Sequence, residues 1–490
     1  MARQKTRADV GPGHSRLRRL LGFAVAVLAA TATMAWGPVG PALADSRLYP
    51  AQELFTNASF ESGTTGWGAG NASISMVPTY GGAREGQQQM RVANTVAQAS
   101  LAQLKTVTVY AGDTYRCSLW VRTVSTPSVR VQLTLWGLDG GFQESGGAPV
   151  RTVGPTWTQL SAVLYARTSH PRMKCELYLT DAVSQIYVDA ASLTRTGVTN
   201  PSFERGLEGW TWGHGDPNRP VWSNGLIADQ YTGGVAREGW SVAQVTSTNG
   251  ATLATTPVVD TSGQDTRCTM WVRKPGVNTA ATVRLYGIRD ASSGSNIYAY
   301  VADQVVQGST AVSDNAWTRV SVVVPRFAGP TSVRCELSLP LNTTFYVDSA
   351  SLAQEPLTNA GLESPYGWFG GNGAINVYAP ANHVAPADGS GYVSISTPEA
   401  GRSLAQDLWV SAGSHRCSLW VQSKDAAGFS AQLSVWDLNR GVHAWTDVWV
   451  GPAWTEVSTE LDFAWPSTMR CELYLNTIDR SLYVDSASTT

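Results

Sequence analysis

The sequence predicts an all-β protein built from three tandem β-sandwich domains. Short runs of alternating apolar and polar residues, separated by Gly, Pro, Asn and Asp, fill most of the chain, while helix-type apolar spacing is scarce. In addition, one ordered set of sequence landmarks occurs three times, which divides the chain into three similar segments.

The first 44 residues have the composition of an export signal. Six basic residues precede an apolar run that begins at Leu20, and Ala42-Leu43-Ala44 has the small-x-small pattern of a signal peptidase site. We therefore predict a signal peptide over residues 1–44, cleaved after Ala44, and a secreted, extracellular protein. Arg18-Arg19 leaves open whether export uses the general secretory or the twin-arginine route.

The charge of the remaining chain argues against two classes of partner. Of 35 Lys+Arg and 37 Asp+Glu, six basic residues and one acidic residue lie in the predicted signal, which leaves a formal net charge of −7. An acidic chain without basic clusters is a poor ligand for nucleic acid or an anionic membrane. No second long apolar segment follows, so we also expect no membrane insertion.

The three copies share the order of their landmarks. Each copy starts with Asn-x-x-(Phe/Leu)-Glu, at Asn57, Asn200 and Asn359, so the starts are 143 and 159 residues apart, a normal length for one sandwich. A Gly-Trp, an Arg-Cys-x-x-Trp-Val strand, a Trp-Thr strand, Cys-Glu-Leu and Tyr-Val-Asp-x-Ala-Ser follow in every copy. We predict domain 1 over 50–195, domain 2 over 196–354 and domain 3 over 355–490, joined by short linkers as beads on a string.

The six cysteines occur at two matching landmarks in each copy. Because an exported chain meets an oxidising environment, we expect one disulfide within each domain. The predicted pairs are Cys117–Cys175, Cys268–Cys335 and Cys417–Cys471. Each bridge closes a loop of roughly 55–70 residues, worth ~4 kcal/mol in the chain-entropy model.

Alternation assigns side chains to the two faces of each strand. In 115–122, Cys117 and the aliphatic residues in phase with it form the core face, which leaves Trp120 on the outer face. By the same rule Tyr178, Gln132 and Trp136 point outward from their strands. If these strands share a sheet, they form one aromatic face. The other outward residues are Trp271 and Tyr286 in domain 2 and Trp420, Gln432, Trp436, Trp445, Trp449 and Tyr474 in domain 3.

Rows of aromatic side chains beside amides and charges suit sugars. The apolar C–H face of a pyranose lies on an aromatic ring, and its hydroxyls need polar partners. We therefore predict that these twelve residues bind carbohydrate. For Trp120, Trp271 and Trp420, which recur in every copy, the alternative is that they cover the sheet, and for the Gly-Trp and Trp-Thr tryptophans we expect a structural role.

The landmarks together resemble carbohydrate-binding modules of the family 4 and 9 type. The resemblance rests on Asn-x-x-Phe-Glu, Ala-Arg-Glu-Gly at 83–86 and 236–239, Ala-Gly-Asp-Thr-Tyr-Arg-Cys at 111–117, Trp-Thr and Tyr-Val-Asp-x-Ala-Ser. It implies a galactose-binding-like jelly roll in each copy, with a face or a loop-lined edge that binds polysaccharide. Domain 3 departs most, with Leu362 for Phe and Ala387-Asp388-Gly389 in place of Ala-Arg-Glu-Gly.

The resemblance also implies one structural calcium ion per domain as a candidate cofactor. Many members bind it through the early Glu and the late Asp, so an ion would tie the first strand of a copy to its last. The alternative is that these carboxylates accept hydrogen bonds from turn N–H groups. The implied ligand pairs are Glu61 with Asp189, Glu204 with Asp348, and Glu363 with Asp485.

The leading functional hypothesis is a secreted, non-catalytic, lectin-like protein with three sites for polysaccharide or cell-wall glycan and a separate glycoside hydrolase as a candidate partner. The second hypothesis is an extracellular structural or adhesive protein whose sandwiches contact protein, which predicts that the outer-face aromatics are covered by loops or by other modules. Catalysis is the third. Because the three domains fill residues 50–490 and no Ser/His/Asp or metal-ligand cluster appears, we expect no enzyme activity.

Overall fold

The computed structural model describes residues 48, 52–78, 82–212, 226–229, 236–247, 252–260, 263–276, 279–291, 297–309, 316–326, 331–364, 366–371, 376–378, 386–397, 399–477 and 480–490. These residues form β-sheets with connecting turns, which confirms the predicted all-β class. Among them, no helix has the length and hydropathy needed to span a membrane. The predicted signal peptide, 1–44, lies outside the described residues.

Domain 1 is a sandwich of two sheets. Its strands are β1 Trp67–Gly70, β2 Ala72–Pro78, β3 Gln88–Asn94, β4 Ala99–Val109, β5 Thr114–Thr123, β6 Val129–Leu138, β7 Gln143–Gly147, β8 Arg151–Val153, β9 Thr158–Tyr165, β10 His170–Leu179 and β11 Gln185–Thr196. The first sheet has the order β1-β4-β10-β6-β7, with β8 paired to β6, and the second has the order β2-β3-β11-β5-β9. Neighbouring strands are mostly distant in the chain, as in a jelly roll.

Domain 2 repeats this arrangement. Its strands are β12 Trp210–Trp212, β13 Leu226–Asp229, β14 Val242–Ser247, β15 Thr252–Thr255, β16 Val258–Asp260, β17 Asp265–Pro275, β18 Ala280–Ala291, β19 Ile297–Ser309, β20 Thr318–Val324, β21 Thr331–Ser338 and β22 Thr343–Glu355. The first sheet is β12-β15-β21-β18-β19, with β16 paired to β21, and the second is β13-β14-β22-β17-β20. A short parallel pairing of β17 with β19 joins the two sheets at one edge.

Domain 3 has the same two layers. Its strands are β23 Phe369–Gly370, β24 Asn376–Tyr378, β25 Val393–Thr397, β26 Arg402–Val410, β27 Gly413–Ser423, β28 Phe429–Asp437, β29 Val442–Val450, β30 Thr455–Phe463, β31 Ser467–Leu475 and β32 Arg480–Thr489. The first sheet has the order β23-β26-β31-β28-β29, and the second has the order β24-β25-β32-β27-β30.

Each sandwich encloses its own apolar core, crossed by one disulfide. All three predicted pairs form: Cys117–Cys175, Cys268–Cys335 and Cys417–Cys471. In each domain one cysteine belongs to the first sheet and the other to the second, so the bridge ties the two layers together. The Gly-Trp tryptophans also lie in the cores, where each indole N–H donates to the carbonyl of the motif Asn, as from Trp67 to Asn57 (3.1 Å).

The three domains contact one another through a repeated ion pair. The arginine that precedes the first cysteine of one domain points outward from the second sheet. It binds the acid of the Ala-Arg-Glu-Gly turn, or its counterpart, in the next domain, together with a carbonyl on that domain's last strand. The three sets are Arg116 with Glu238 and Ala350, Arg267 with Asp388 and Ala487, and Arg416 with Glu85 and Ala191.

These contacts close the three domains into a ring. Domain 1 binds domain 2, domain 2 binds domain 3, and domain 3 binds domain 1, each through the same side of the sandwich. The expectation of beads on a string is therefore wrong. Alternation identifies the arginine and the acid of each pair only as polar surface residues, so it does not reveal that they face another domain. Because they pair across the domain boundary, both charges become buried and hold the domains together.

Candidate functional site

The outer face of the first sheet gathers most of the predicted sugar-binding residues of domains 1 and 3. Three residues of the Cys-Glu-Leu strand lie opposite three outward residues of the neighbouring strand. In domain 1 the pairs are Lys174 with Trp136, Glu176 with Thr134, and Tyr178 with Gln132. In domain 3 they are Arg470 with Trp436, Glu472 with Ser434, and Tyr474 with Gln432.

Glu176 lies at the centre of the domain 1 face and is 8% exposed. Its carboxylate accepts hydrogen bonds from Ser100 Oγ (2.9 Å) and from the Tyr178 hydroxyl, and it pairs with Lys174 Nζ (2.6 Å). Burial raises the pKa of Glu176, but the hydrogen bonds from these three side chains outweigh burial and lower it overall. Burial and the bond to Glu176 raise the pKa of Tyr178. The carboxylate is therefore ionised and held in one position.

An open cleft of about 600 Å³ lies beside Glu176 on this face. Most of the residues that line it are small residues of β1 and β4, among them Gly68, Gly70 and Ala102, and Trp67 and Leu104 complete the floor. A Cβ at Gly70 would come within 2.9 Å of Ser100 Oγ, so only glycine leaves this part of the floor flat. A flat floor beside a fixed carboxylate and an aromatic row admits a flat, hydroxyl-rich ligand.

Domain 3 has the same centre with a more aromatic surround. Glu472 is 3% exposed and accepts a hydrogen bond from Ser403 Oγ (2.5 Å). Arg470, in the place of Lys174, binds both carboxylate oxygens of Asp407 (2.7 and 3.0 Å) and lies 5.3 Å from the centre of the Phe369 ring. The predicted site residues Gln432, Trp436 and Tyr474 all share this face.

Strand β29 extends the domain 3 face with a line of aromatic side chains. The His443 ring stacks on Trp436 with 3.9 Å between ring centres, and Trp445 lies 5.1 Å further along. Trp449, in register with Ser430, is 67% exposed, and Gln432 donates to Asp447 Oδ1 (3.1 Å). Trp445 and Trp449 therefore lie on one face of β29 with His443, as alternation predicts, with Trp445 near Trp436 and Trp449 at the far end of the strand.

Domain 2 lacks this arrangement. Tyr286 does lie on its first-sheet face, but opposite Glu336, where the other domains have Thr134 and Ser434. In domain 2 a large aromatic ring thus lies beside the central glutamate, where the other two domains have a small side chain. Ile288 and Ser338 stand where the other domains have Trp and Tyr, and Arg284 binds Asp303 through two hydrogen bonds (2.6 and 2.7 Å).

The prediction that Trp120, Trp271 and Trp420 share the aromatic face is wrong. Their strands β5, β17 and β27 belong to the second sheet, so these rings point away from the opposite side of the sandwich. An arginine covers each ring near a junction between domains: Arg84 over Trp120 (4.4 Å), Arg237 over Trp271 (3.6 Å) and Arg319 over Trp420 (5.4 Å).

These arginines also reach the neighbouring domains. Arg84 donates to the carbonyl of Glu456 in domain 3, and Arg237 donates to Gln159 in domain 1. In domain 3, Ala387 stands where the others have this arginine, and Arg319 of domain 2 fills the place from across the junction. The repeated tryptophans therefore support the ring.

The acids of the predicted calcium pairs accept hydrogen bonds from backbone N–H groups. Asp189 accepts from the first two residues of turn 84–88 (2.6 and 3.1 Å), and Glu61 accepts from the last two (2.9 and 2.8 Å). Burial raises the pKa of both carboxyls, that of Glu61 to about 7. The equivalent acids are Asp348 and Glu204 around turn 237–241, and Asp485 and Glu363 around turn 387–390.

This bonding does not fit a calcium site. Ca²⁺ takes six to eight oxygen ligands, whereas Oε1 of Glu61 and both carboxylate oxygens of Asp189 already accept N–H hydrogen bonds. In the part of the chain that the structure describes, no cluster of three or more His, Cys, Asp or Glu is arranged to hold a metal ion. The geometry fits the alternative, in which the two acids clamp the turn. That turn carries Glu85, so the clamp also shapes the ring contact.

Four residues that contribute to the face escaped the sequence prediction. They are Ser100 and Ser403, which bind the central glutamates, and Arg470 with its partner Asp407. One signal was present: Ser-Leu-Ala-Gln occurs at 100–103 and again at 403–406. Its alternation directs Ser and Ala to the face on which Glu176 and Glu472 lie.

One comparison with known families agrees with the sequence resemblance. Residues 52–182 match the family model of a carbohydrate binding domain, CBM_4_9. Among solved structures, the CBM22-1–CBM22-2 tandem of Paenibacillus barcinonensis Xyn10C is 17% identical, covering 62% of this chain and 98% of that chain (TM-score 0.27). The CBM22-1–GH10 modules of Clostridium thermocellum Xyn10B are 21% identical, covering 29% and 28% (TM-score 0.26). No curated protein sequence matches the chain.

Proposed function

Because residues 52–182 match the family model of a carbohydrate binding domain, CBM_4_9, we propose that the protein is an exported, non-catalytic, multivalent polysaccharide-binding protein. Its binding faces are the outer faces of the first sheets in domains 1 and 3. The expected ligand is an extracellular polysaccharide or cell-wall glycan. A separate glycoside hydrolase that acts on the same polymer is the expected functional partner.

One observation carries this proposal: both faces combine an aromatic row with a buried, hydrogen-bonded glutamate at the centre. The rings of Trp136 in domain 1 and of Trp436 and Trp445 in domain 3 offer platforms for the C–H faces of pyranose rings. The carboxylates of Glu176 and Glu472 and the nearby amides offer partners for ring hydroxyls. At about 4.8 Å per strand, a five-stranded face is long enough for about four sugar units.

The bonding of these glutamates supports binding rather than glycoside cleavage. A glycosidase needs one carboxyl with a raised pKa as general acid and a second carboxylate nearby. The pKa of Glu176 is lowered, and Lys174 neutralises its charge. In domain 3, Arg470 engages Asp407 of the same face through two hydrogen bonds, and Gln432 donates to Asp447.

The adhesive or structural alternative predicts that the outer-face aromatics are covered. This holds for Trp120, Trp271 and Trp420, which arginines cover near the junctions. It does not hold for Trp449 and Trp409 of domain 3, which are 67% and 68% exposed. Exposed aromatic rings beside polar partners favour a sugar ligand for this face.

A pull-down on a panel of polysaccharides tests the proposal. The mature protein is mixed with insoluble or immobilised cellulose, xylan, β-glucan, chitin and peptidoglycan. Wild type and the control Trp240→Ala, which removes an exposed tryptophan outside both faces, should be retained on at least one polymer. The combined variant Trp136→Ala, Trp436→Ala, Trp445→Ala should not be retained on that polymer. Retention of this variant at the wild-type level, or no retention of wild type on any polymer, would refute the proposal.

A further inference from the structure

We propose that the protein bridges separate polysaccharide chains, because the ring of domains holds its binding faces outward in different directions. The inference rests on the proposed function, since it requires that the faces of domains 1 and 3 bind polysaccharide. It concerns what the binding accomplishes: joining polymers to one another, rather than gaining affinity along one polymer.

The outer face of each second sheet is turned toward the centre of the ring. In domain 1, Arg116 of β5 and Gln159 of β9 lie on this face and bind domain 2. Arg84, which covers Trp120 on the same face, binds Glu456 of domain 3. Both neighbours therefore meet domain 1 on the same side of its sandwich.

The junctions that involve domain 3 repeat this pattern. Arg267 of β17 and Ser321 of β20 lie on the outer face of the second sheet of domain 2 and contact Asp388 and Gly389 of domain 3. On the corresponding face of domain 3, Arg416 and Glu460 contact domain 1, while Trp420 lies under Arg319 of domain 2. All three second sheets thus surround one centre.

The candidate binding faces must then point away from that centre. The first sheet is the opposite layer of each sandwich, so its outer face is directed outward from the ring. Three equivalent units in a closed ring are related by about one third of a turn, so the faces of domains 1 and 3 point about 120° apart. A polymer extended along one face leaves the molecule without meeting the other.

Buried ion pairs fix this geometry. Glu238, Asp388 and Glu85, the acids at the three junctions, are each at most 2% exposed and bind arginines that are themselves largely buried. Flexible linkers would let two faces turn toward the same chain and gain avidity on it. A closed ring does not allow this, so the second face is free for another polymer.

A two-polymer capture assay tests the inference. Each soluble polymer of the panel, xylan and β-glucan, is immobilised on beads, loaded with full-length mature protein, washed, and offered the same polymer carrying a fluorescent label. Wild type and Trp240→Ala should capture labelled polymer. Trp136→Ala, and separately Trp436→Ala with Trp445→Ala, should each remain on the beads through the intact face. Each variant should capture at most about one tenth of the labelled polymer that wild type captures.

The outcomes separate the two proposals. If wild type stays on the beads but captures no labelled polymer, bridging is refuted and polysaccharide binding stands. If each single-face variant captures as much as wild type, the two faces are not the bridging sites and the inference fails. If wild type does not bind the beads carrying either polymer, the proposed function fails for both polymers and bridging of them fails with it. Retention of the single-face variants shows that the domain with the intact face is folded, and a circular dichroism spectrum like that of wild type shows the same for the mutated domain.

Discussion

Replacing Arg416 by alanine should open the ring at the junction between domains 3 and 1. The Arg416 guanidinium binds Glu85 (2.8 Å) and Glu460 (3.1 Å), lies 3.7 Å from Glu53, and donates to the Ala191 carbonyl (2.8 Å). Without it, the buried carboxyl groups of Glu53, Glu85 and Glu460 lose the one guanidinium that contacts all three. Side-chain and backbone contacts alone hold this junction, whereas the chain itself connects domain 1 to domain 2 and domain 2 to domain 3.

The size of the effect follows from this bonding. Removing one partner of a buried ion pair costs about 3–5 kcal/mol, because the remaining charge stays buried and unpaired. A loss of this size favours separation of the two domains over closure. The radius of gyration should rise from about 22 Å for a compact chain of roughly 450 residues, and the upper limit is about 34 Å for three touching domains in a row.

Small-angle X-ray scattering at neutral pH measures this change directly. The matched control is Arg130→Ala, which removes an ion pair with Asp181 Oδ1 at the surface of domain 1 and should leave the radius unchanged. Circular dichroism of both variants should show the same β-sheet content as wild type. An Arg416→Ala protein with the radius of wild type would refute the electrostatic account of ring closure.

Three further predictions concern the junction, the face of domain 2 and the repeat acids. Burial, and then the nearby carboxylates, raise the pKa of Glu460 from 4.5 to about 8, although Arg416 acts in the opposite direction. Because the folded protein keeps this proton at pH values where the unfolded chain loses it, the free energy of unfolding should fall as pH rises from about 4.5 through 8. Glu460→Val, which supplies the residue found at the equivalent position Val163, should flatten the pH dependence of urea unfolding; an unchanged slope would contradict this. Tyr286→Ser combined with Ile288→Trp and Ser338→Tyr should give domain 2 a face like that of domain 3 and increase retention on the polymer that binds wild type; unchanged retention would show that the three positions do not suffice. Removal of calcium with a chelator should leave the melting temperature unchanged, because backbone N–H groups already bind the repeat acids; a lower temperature that calcium restores would establish an ion site instead.

The cores and disulfides were predictable because they depend on local alternation. A period of two assigns Cys117 and Cys175 to core faces whatever the neighbouring strands are, and both are fully buried. The sheet to which each strand belongs is a long-range property that alternation does not contain. The disulfide held a usable hint: a bridge across a sandwich core joins opposite sheets, so Trp120 and Tyr178, outward on the strands of the two cysteines, must point in opposite directions.

The ring was beyond prediction for a related reason. Arg116, Arg267 and Arg416 precede the first cysteine in all three copies, and alternation marks them as outward and polar. The same pattern describes a solvated arginine, because no local feature distinguishes contact with water from contact with another domain. The acids that bind them lie in turns roughly 120 residues or more away in the chain, so the pairing depends on the complete fold.

The division between repeated and variable residues follows the two sides of the sandwich. The arginine before the first cysteine and the tryptophan three residues after it occur in every copy and lie on the inward side, where they hold the ring. The outward side differs among copies, from Trp136 in domain 1 to Ile288 in domain 2 and Trp436 in domain 3. Domain 2 keeps both of its ring contacts while its outward face carries the Arg284–Asp303 ion pair in place of an aromatic row. Its role is therefore geometric: it completes the ring that sets the angle between the two faces proposed to bind polysaccharide.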